Sequence, residues 1–326
     1  MAASVTRARV AANCDATPAA TRILCASYFT AGATRDTIAA MTPCERKHGL
    51  RLRDAAVALA AVCALGACSA TGPVQPPPAG VLQADAAACI VALRGTTSSP
   101  GTGLATDGIR LVNWNVEKGR HRDWSRDYAR LTGDSDLVLI QEASLRADTV
   151  DDLPPALHWS FAPGYRRRGQ VTGVLTLSAA RPMTQCKLAA TEPLLRTPKA
   201  TSITQFALLG SDATLIVVNV HAINFSFGLG MYERQFDAIA DVLEQHSGPI
   251  ILGGDFNTWR DARMRVVDAL AQRIALEPLQ FDVDHRMRFM GKALDHIFVR
   301  GLYALDSKTY EVTSSDHNPM SVTLAM

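Results

Sequence analysis

From Ile109 to the C-terminus the chain alternates between short apolar runs rich in β-branched residues and longer polar or mixed stretches. The runs predict strands at about 109–115, 137–142, 172–178, 202–209, 214–221, 249–254, 294–300 and 320–325. Between them, Tyr232 to His246 places Phe236, Ile239, Ala240 and Leu243 on one face with charges opposite, which is amphipathic helical spacing. Met264 to Ile274 reads the same way, and Trp124 to Leu131 predicts a short helix. Strands interleaved with helices, with polar residues where the strands end, imply two packed sheets covered by helices and a site along one rim. Residues 86–93 are apolar enough to add a first strand, whereas 95–107 are rich in Gly, Ser and Thr.

The N-terminal third has a different texture. Arg46, Lys47, Arg51 and Arg53 precede an apolar stretch from Ala55 to Leu65, followed by Gly66, Ala67 and Cys68. A basic flank, a short apolar core and small residues form a secretory signal pattern, and about eleven apolar residues are too few to span a bilayer core of roughly 30 Å. Leu65-Gly66-Ala67-Cys68 resembles the bacterial lipobox, which implies acylation at Cys68, and Ser69 after it favours the outer membrane. The expected layout is a mis-assigned extension over 1–40 with translation starting at Met41, and a lipoprotein signal peptide over 41–67. A Pro-rich tether over 68–85 and one domain over 86–326 follow. The expected location is the periplasm-facing cell envelope, or the cytoplasm if the signal is unused.

Charge refines this picture. Of 33 Lys/Arg and 31 Asp/Glu, residues 1–67 hold eight and four, leaving 25 against 27 in the remainder. That near-neutral domain lacks the strong basic field of a protein that grips nucleic acid over many phosphates. Cleavage before Cys68 would reduce seven cysteines to Cys68, Cys89 and Cys186, so a Cys89–Cys186 disulfide and two separate buried thiols both remain open.

Six polar clusters sit on or just beyond the apolar runs: NWNVEKG, LVLIQE, VVNVHAIN, ILGGDFN, ALDHIF and SSDHNP. Their carboxylates, carboxamides and imidazoles are the groups that metal-assisted phosphate-ester cleavage requires: oxygen ligands for a hard cation, a group to activate water and a group to stabilise the leaving oxygen. Alternation predicts Asp255 and Asn257 on one face with Phe256 pointing to the core, and His296 on the face opposite Asp295. Arg166, Arg167 and Arg168 read as a solvated basic turn, with binding of an anionic substrate as the alternative; Lys199 and the pair Trp259-Arg260 are weaker anion-binding candidates.

Together the clusters resemble the endonuclease/exonuclease/phosphatase superfamily of DNase I-like proteins from about Arg110 onward. GVLTLSAARP, VVNVHAINFSFG, SGPIILGGDFNTW and SSDHNP are most similar to its YafD-like bacterial branch. The resemblance implies an α+β fold, a four-layer α/β/β/α sandwich of two mixed sheets flanked by helices. It implies Glu142 and Asp316 at a Mg²⁺ or Mn²⁺ ion, with Asn115 beside metal and phosphate. Asp255 would serve the attacking water, Asn257 the phosphate, and His317, held by Asp295, the scissile group. His221 would contact phosphate or protonate the leaving group, and Asn224 would touch substrate or close its loop. The expected activity is hydrolysis of a phosphodiester or phosphomonoester in nucleic acid, a phospholipid headgroup or an inositol phosphate, by a monomer tethered to the membrane through Cys68. The competing expectation is a catalytically silent membrane-tethered binding lipoprotein of the same fold.

Overall fold

The structure is a computed structural model that describes residues 81–83, 85–95, 103–145, 157–167, 170–193, 196–226 and 228–326. The signal peptide, lipobox and most of the tether inferred above lie outside the described residues.

Two mixed sheets stack face to face. One contains β1 (Val81–Gln83), β6 (Thr184–Thr191), β7 (Pro198–Leu208), β8 (Ser211–His221), β9 (Ile250–Asp255), β13 (Asp295–Arg300) and β10 (Glu277–Pro278), in that spatial order. The other is ordered β14 (Tyr303–Thr309), β15 (Met320–Ala325), β2 (Ile109–Asn115), β3 (Leu137–Leu145), β5 (Gln170–Ser178) and β4 (His158–Arg167). A separate hairpin joins β11 (Arg288–Phe289) to β12 (Lys292–Ala293). Helices α1 (Ala86–Arg94), α3 (Gly230–Leu243) and α4 (Asp261–Arg273) cover the first sheet, and α2 (Trp124–Thr132) covers the second. The expected four layers are present.

Among the described residues, strand alternation sorts the apolar side chains into three large cores and a small cluster of Ala162, Val174 and Ala200. Along β8, Ile216, Val218 and Val220 face α3 and α4, while Leu215 and Val217 face the opposite sheet. Along β2, Ile109 and Leu111 point between the sheets and Val112 and Trp114 point to α2. Both faces of these central strands are buried, which explains their near-continuous apolar sequences.

Residues 86–93 are a helix, not the first strand that their apolar content suggested. Asp85 caps it, its carboxylate accepting from the Ala88 N–H at 2.9 Å. Cys89 and Leu93, one helical turn apart, supply its buried face. Strands β4, β6 and β14 escaped the sequence reading because their exposed or polar positions interrupt the apolar pattern; β14 is exposed at five of seven residues. Arg166 and Arg167, expected in a turn, are the last residues of β4, with Arg166 exposed, and Arg168 lies outside the described residues.

Cys89 and Cys186 form a disulfide that ties α1 to β6 across 97 residues of sequence. Closing so long a loop restricts the unfolded chain. Replacing both with serine is expected to cost about 2–5 kcal/mol in urea unfolding, while the folded circular dichroism spectrum is retained.

Candidate active site

The site lies where two parallel strand pairs end together. β8 runs parallel to β9 with His221 opposite Asp255, and β2 runs parallel to β3 with Asn115 opposite Gln141. β13, antiparallel to β9, places Asp295 opposite Asp255. Thus the inward-facing rows Leu215-Val217-Asn219-His221 and Ile251-Gly253-Asp255 begin in the apolar core and finish at the rim. Crevices beyond the carboxyl ends of parallel strands are where open α/β sheets bind ligands.

The two glycines of GGDFN permit the close fit. A Cβ on Gly254, whose φ is +149°, would meet the Val220 carbonyl oxygen at 2.0 Å, and one on Gly253 would meet Leu139 of the other sheet at 2.9 Å. Phe256 is fully buried in the helix-facing core, as alternation predicts. Asn257 then turns into the left-handed region at φ +51°, so its face is fixed by a turn and not by continued extension. Its N–H donates to Asp255 Oδ1 at 2.9 Å and its Nδ2 to the Ala222 carbonyl at 3.1 Å.

Glu142 reaches the rim by a different route. Alternation along β3 would put it on the outer face with Val138 and Ile140. A bulge between Ile140 and Ala143, with Glu142 at φ +53°, re-aims its carboxylate. Glu117 and Lys118 also have positive φ, so backbone strain concentrates around the site. The Lys118 ammonium is paired with Glu142 Oε2.

The SSDHNP loop is pinned almost residue by residue. Ser314 Oγ donates to the buried Asp127 carboxylate of α2 at 2.8 Å, Ser315 Oγ donates to the Asn115 carbonyl at 2.6 Å, and Trp114 Nε1 donates to the His317 carbonyl at 2.9 Å. His317 Nδ1 lies 2.7 Å from Asp295 Oδ2. Burial opposes a charge on this ring, but Asp295, Asp255 and Asp316 outweigh it and push its pKa up to about 10. Asp255 moves the other way from a usual surface carboxylate. Burial raises it, and the charges of His317 and Lys199 only partly offset that effect. His296, by contrast, faces Phe256 and Thr258 away from the cleft, and burial holds it down to about 3.

Every site residue expected from the sequence except Asp295 lines one cleft of about 440 Å³: Asn115, Glu142, His221, Asn224, Asp255, Asn257, Asp316 and His317. Asp295 stands behind His317. Asn115 bridges the sheets through Nδ2 to Asp255 Oδ2 at 3.0 Å. Asn224 closes its loop as well as lining the cleft, accepting Trp259 Nε1 at 3.1 Å. Trp259, Phe225, Phe289, Met287 and Leu294 give one side of the cleft an apolar, largely aromatic wall.

Two groupings are relevant to a cation. Asp255, Asp295 and His317 offer ligand atoms all within 4.8 Å of one another. His317 Nδ1 is taken up by Asp295 at 2.7 Å, so that nitrogen is not free for a cation. Glu142, Asp316 and the Asn115 amide oxygen instead supply only oxygen donors at the cleft, a set that suits a hard divalent ion.

Several supporting residues gave no readable signal in the sequence. Arg263, fully buried in α4, donates to the carbonyls of Ile223 and Asn224 at 2.6 Å and of Asn257 at 3.1 Å, and packs on the rings of Tyr232 and Trp259. Glu192, also buried, accepts from the Asn224 N–H at 2.8 Å and lies 3.8 Å from Lys199 Nζ. A helical arginine and a glutamate after an unrecognised strand look like surface residues until the loops fold over them.

Comparison with known proteins accords with this architecture. Residues 112–317 match the model of the Endonuclease/Exonuclease/phosphatase family. The chain belongs to that family, whose members typically hydrolyse phosphoester bonds. Within it, the chain falls in the UPF0294, YafD-like group. It is 38% identical over 215 residues to a UPF0294 protein of Yersinia pseudotuberculosis (66% of this chain, 82% of that one) and 37% identical over 233 residues to one of Klebsiella pneumoniae (68% and 84%). Among solved structures it is similar to a family protein from Leptotrichia buccalis, with TM-score 0.51, 17% identity and coverage of 67% of this chain and all of that one. The human Nocturnin catalytic domain with bound sulfate gives TM-score 0.52, 15% identity and coverage of 69% and 96%.

The Asp295–His317 pair makes a spectroscopic prediction. The imidazole of His317 is expected to stay protonated through pH 8. Because its folded pKa is raised, its contribution to stability is complete below about 6.5 and is lost as pH rises through about 10. Asp295→Asn should lower the NMR titration midpoint of His317 by at least about one unit; an unmoved midpoint would remove Asp295 as the cause.

Proposed function

We propose that this protein is a Mg²⁺- or Mn²⁺-dependent phosphoesterase that cleaves a phosphodiester or phosphomonoester by in-line attack of an activated water. The observation that carries this reading is the buried Asp295–His317 pair beside the buried Asp255 carboxylate, in a cleft that also exposes Glu142 and Asp316. Glu142, Asp316 and Asn115 would hold the cation. When bound, the ion would neutralise phosphate charge and polarise the phosphorus–oxygen bond.

The protein groups divide the remaining work. Asp255, held by Asn115 and the Asn257 N–H and shifted by burial toward neutrality, is suited to orient the water and take its proton. His317, cationic and fixed by Asp295, donates to a non-bridging phosphate oxygen and offsets the charge that grows on it. Asn257 adds a neutral contact in the same place. A binding protein of the same fold would have no need to bury a cationic histidine against two carboxylates.

The aromatic wall of Phe225, Trp259 and Phe289 favours a substrate with a planar or apolar portion beside the phosphate. Nucleic acid, phospholipid headgroups and inositol phosphates are the classes to compare. The Cys89–Cys186 disulfide supports maturation in an oxidising compartment, in keeping with a monomer anchored at Cys68 to the periplasmic side of the envelope. Among the described residues no helix is long and apolar enough to cross a membrane.

The purified chain should hydrolyse at least one of these substrate classes in Mg²⁺ or Mn²⁺ and lose activity in EDTA. Glu142→Ala and His317→Ala should each lower turnover by at least about 10²-fold. No turnover across all three classes, together with tight retention of one of them, would favour the binding-protein reading.

A further inference from the structure

The Asp295–His317 pair serves one end of the phosphate, and the opposite end of the cleft holds a second acid–base pair that the functional reading does not use. β6, β7, β8, β9 and β13 are consecutive neighbours in their sheet. At the rim they carry, in order, Glu192 just beyond β6, then Lys199, His221, Asp255 and Asp295. Lys199 Nζ lies 2.8 Å from His221 Nε2, and that nitrogen lies 3.6 Å from Asp255 Oδ2. A lysine ammonium can only donate, so His221 Nε2 is the acceptor in this contact and has no proton of its own to give there. Lys199 itself lines the cleft, with its side chain 14% exposed, and the carboxylate of Glu192 lies behind it at 3.8 Å.

Buried carboxylates are costly unless they are paired, and Glu192 is only 2% exposed. Its Oε1 accepts from the Asn224 and Phe225 N–H groups at 2.8 and 3.3 Å, and its Oε2 accepts from Thr197 Oγ1 at 2.8 Å. This one side chain therefore fixes the loop that forms the cleft wall and the position of the lysine.

We propose that Lys199 is a further catalytic residue, the proton donor to the leaving-group oxygen, with Glu192 as its positioning residue. The assignment rests on the phosphoesterase reading above. In-line displacement sets the attacking and leaving oxygens on opposite sides of phosphorus, so the groups that serve them must approach from different directions. Asp255 takes a proton as the water oxygen bonds to phosphorus. The electron pair of the breaking phosphorus–oxygen bond goes to the leaving oxygen, and an Nζ proton of Lys199 moves onto it. Solvent then removes the proton from Asp255 and restores the ammonium. His221 stays neutral between the two and steers the lysine.

The test compares methyl p-nitrophenyl, methyl phenyl and methyl benzyl phosphate, whose leaving groups need a proton increasingly. With Lys199→Met, kcat should fall less than about tenfold on the first and at least about 10²-fold on the last. Glu192→Gln should show the same gradient at smaller amplitude, and Lys199→Arg should restore part of the loss. An active wild type with an equal loss on all three esters, or a change confined to KM, would overturn the lysine assignment and leave the phosphoesterase reading intact. A second measurement, calorimetric binding of inorganic phosphate in Mg²⁺, covers a wild type that turns over none of the esters. Weakening of at least about tenfold in Lys199→Met would keep the lysine at the phosphate, unchanged binding would overturn the lysine assignment alone, and no phosphate binding by the wild type would count against the esterase reading.

Discussion

Asn219 sits at the centre of the gap between the two sheets and holds them to one spacing. Its Nδ2 donates to the Leu175 carbonyl at 3.0 Å and the Ile140 carbonyl at 3.3 Å, both in the opposite sheet, and its Oδ1 accepts Gln141 Nε2 at 2.7 Å. Gln141 also reaches Asn113 at 3.0 Å. Amides buried this deeply are expensive unless paired, so the sheets have little freedom to slide. Two residues beyond Asn113 and Asn219, and one beyond Gln141, the same strands deliver Asn115, His221 and Glu142 to the cleft. The precision of the rim is inherited from that amide cluster and from the apolar packing around it.

The electrostatic organisation follows from the same geometry. Asp255 is the centre of the row, hydrogen-bonded by an amide from one sheet and by a backbone N–H from its own. His317 draws a raised pKa from carboxylates on β9, β13 and its own loop, three segments that only the packed sheets bring together. His221, one strand from Asp255, is pushed well below its ordinary value by burial and then by the charges of Lys199, His317 and Lys118. The two histidines thus carry different charge at the same pH. Environments that drive like groups apart in this way separate the roles of acid and base on one surface.

Supporting residues hold the loops at the cleft as firmly as strands hold its floor. Arg263 gathers three carbonyls from the Ile223–Asn224 and Asn257 turns, Glu192 gathers two N–H groups of the Asn224–Phe225 segment, and Asp127 anchors Ser314. Each is a charged side chain buried by loops that would otherwise leave polar backbone atoms unpaired. Their cost is offset only in the assembled site, which is why none of them stands out in a linear reading.

The sequence by itself determined the layered α+β architecture, because apolar runs of strand length and amphipathic helical spacing are local properties that survive without neighbours. It also determined which residue types meet at the rim: Asn115, Glu142, His221, Asp255, Asn257, Asp316 and His317 all line one cleft. It misjudged Ala86–Arg94, where an Asp85 cap and a disulfide partner outweigh apolar content, and it passed over β4, β6 and β14, whose mixed faces carry no period. Only the tertiary structure decided how Glu142 turns inward through a bulge, that Lys118 is its partner, and that Glu192 and Lys199 extend the row beyond His221. Those outcomes depend on strand register and loop closure between residues tens of positions apart. Local patterns carry no record of such distances.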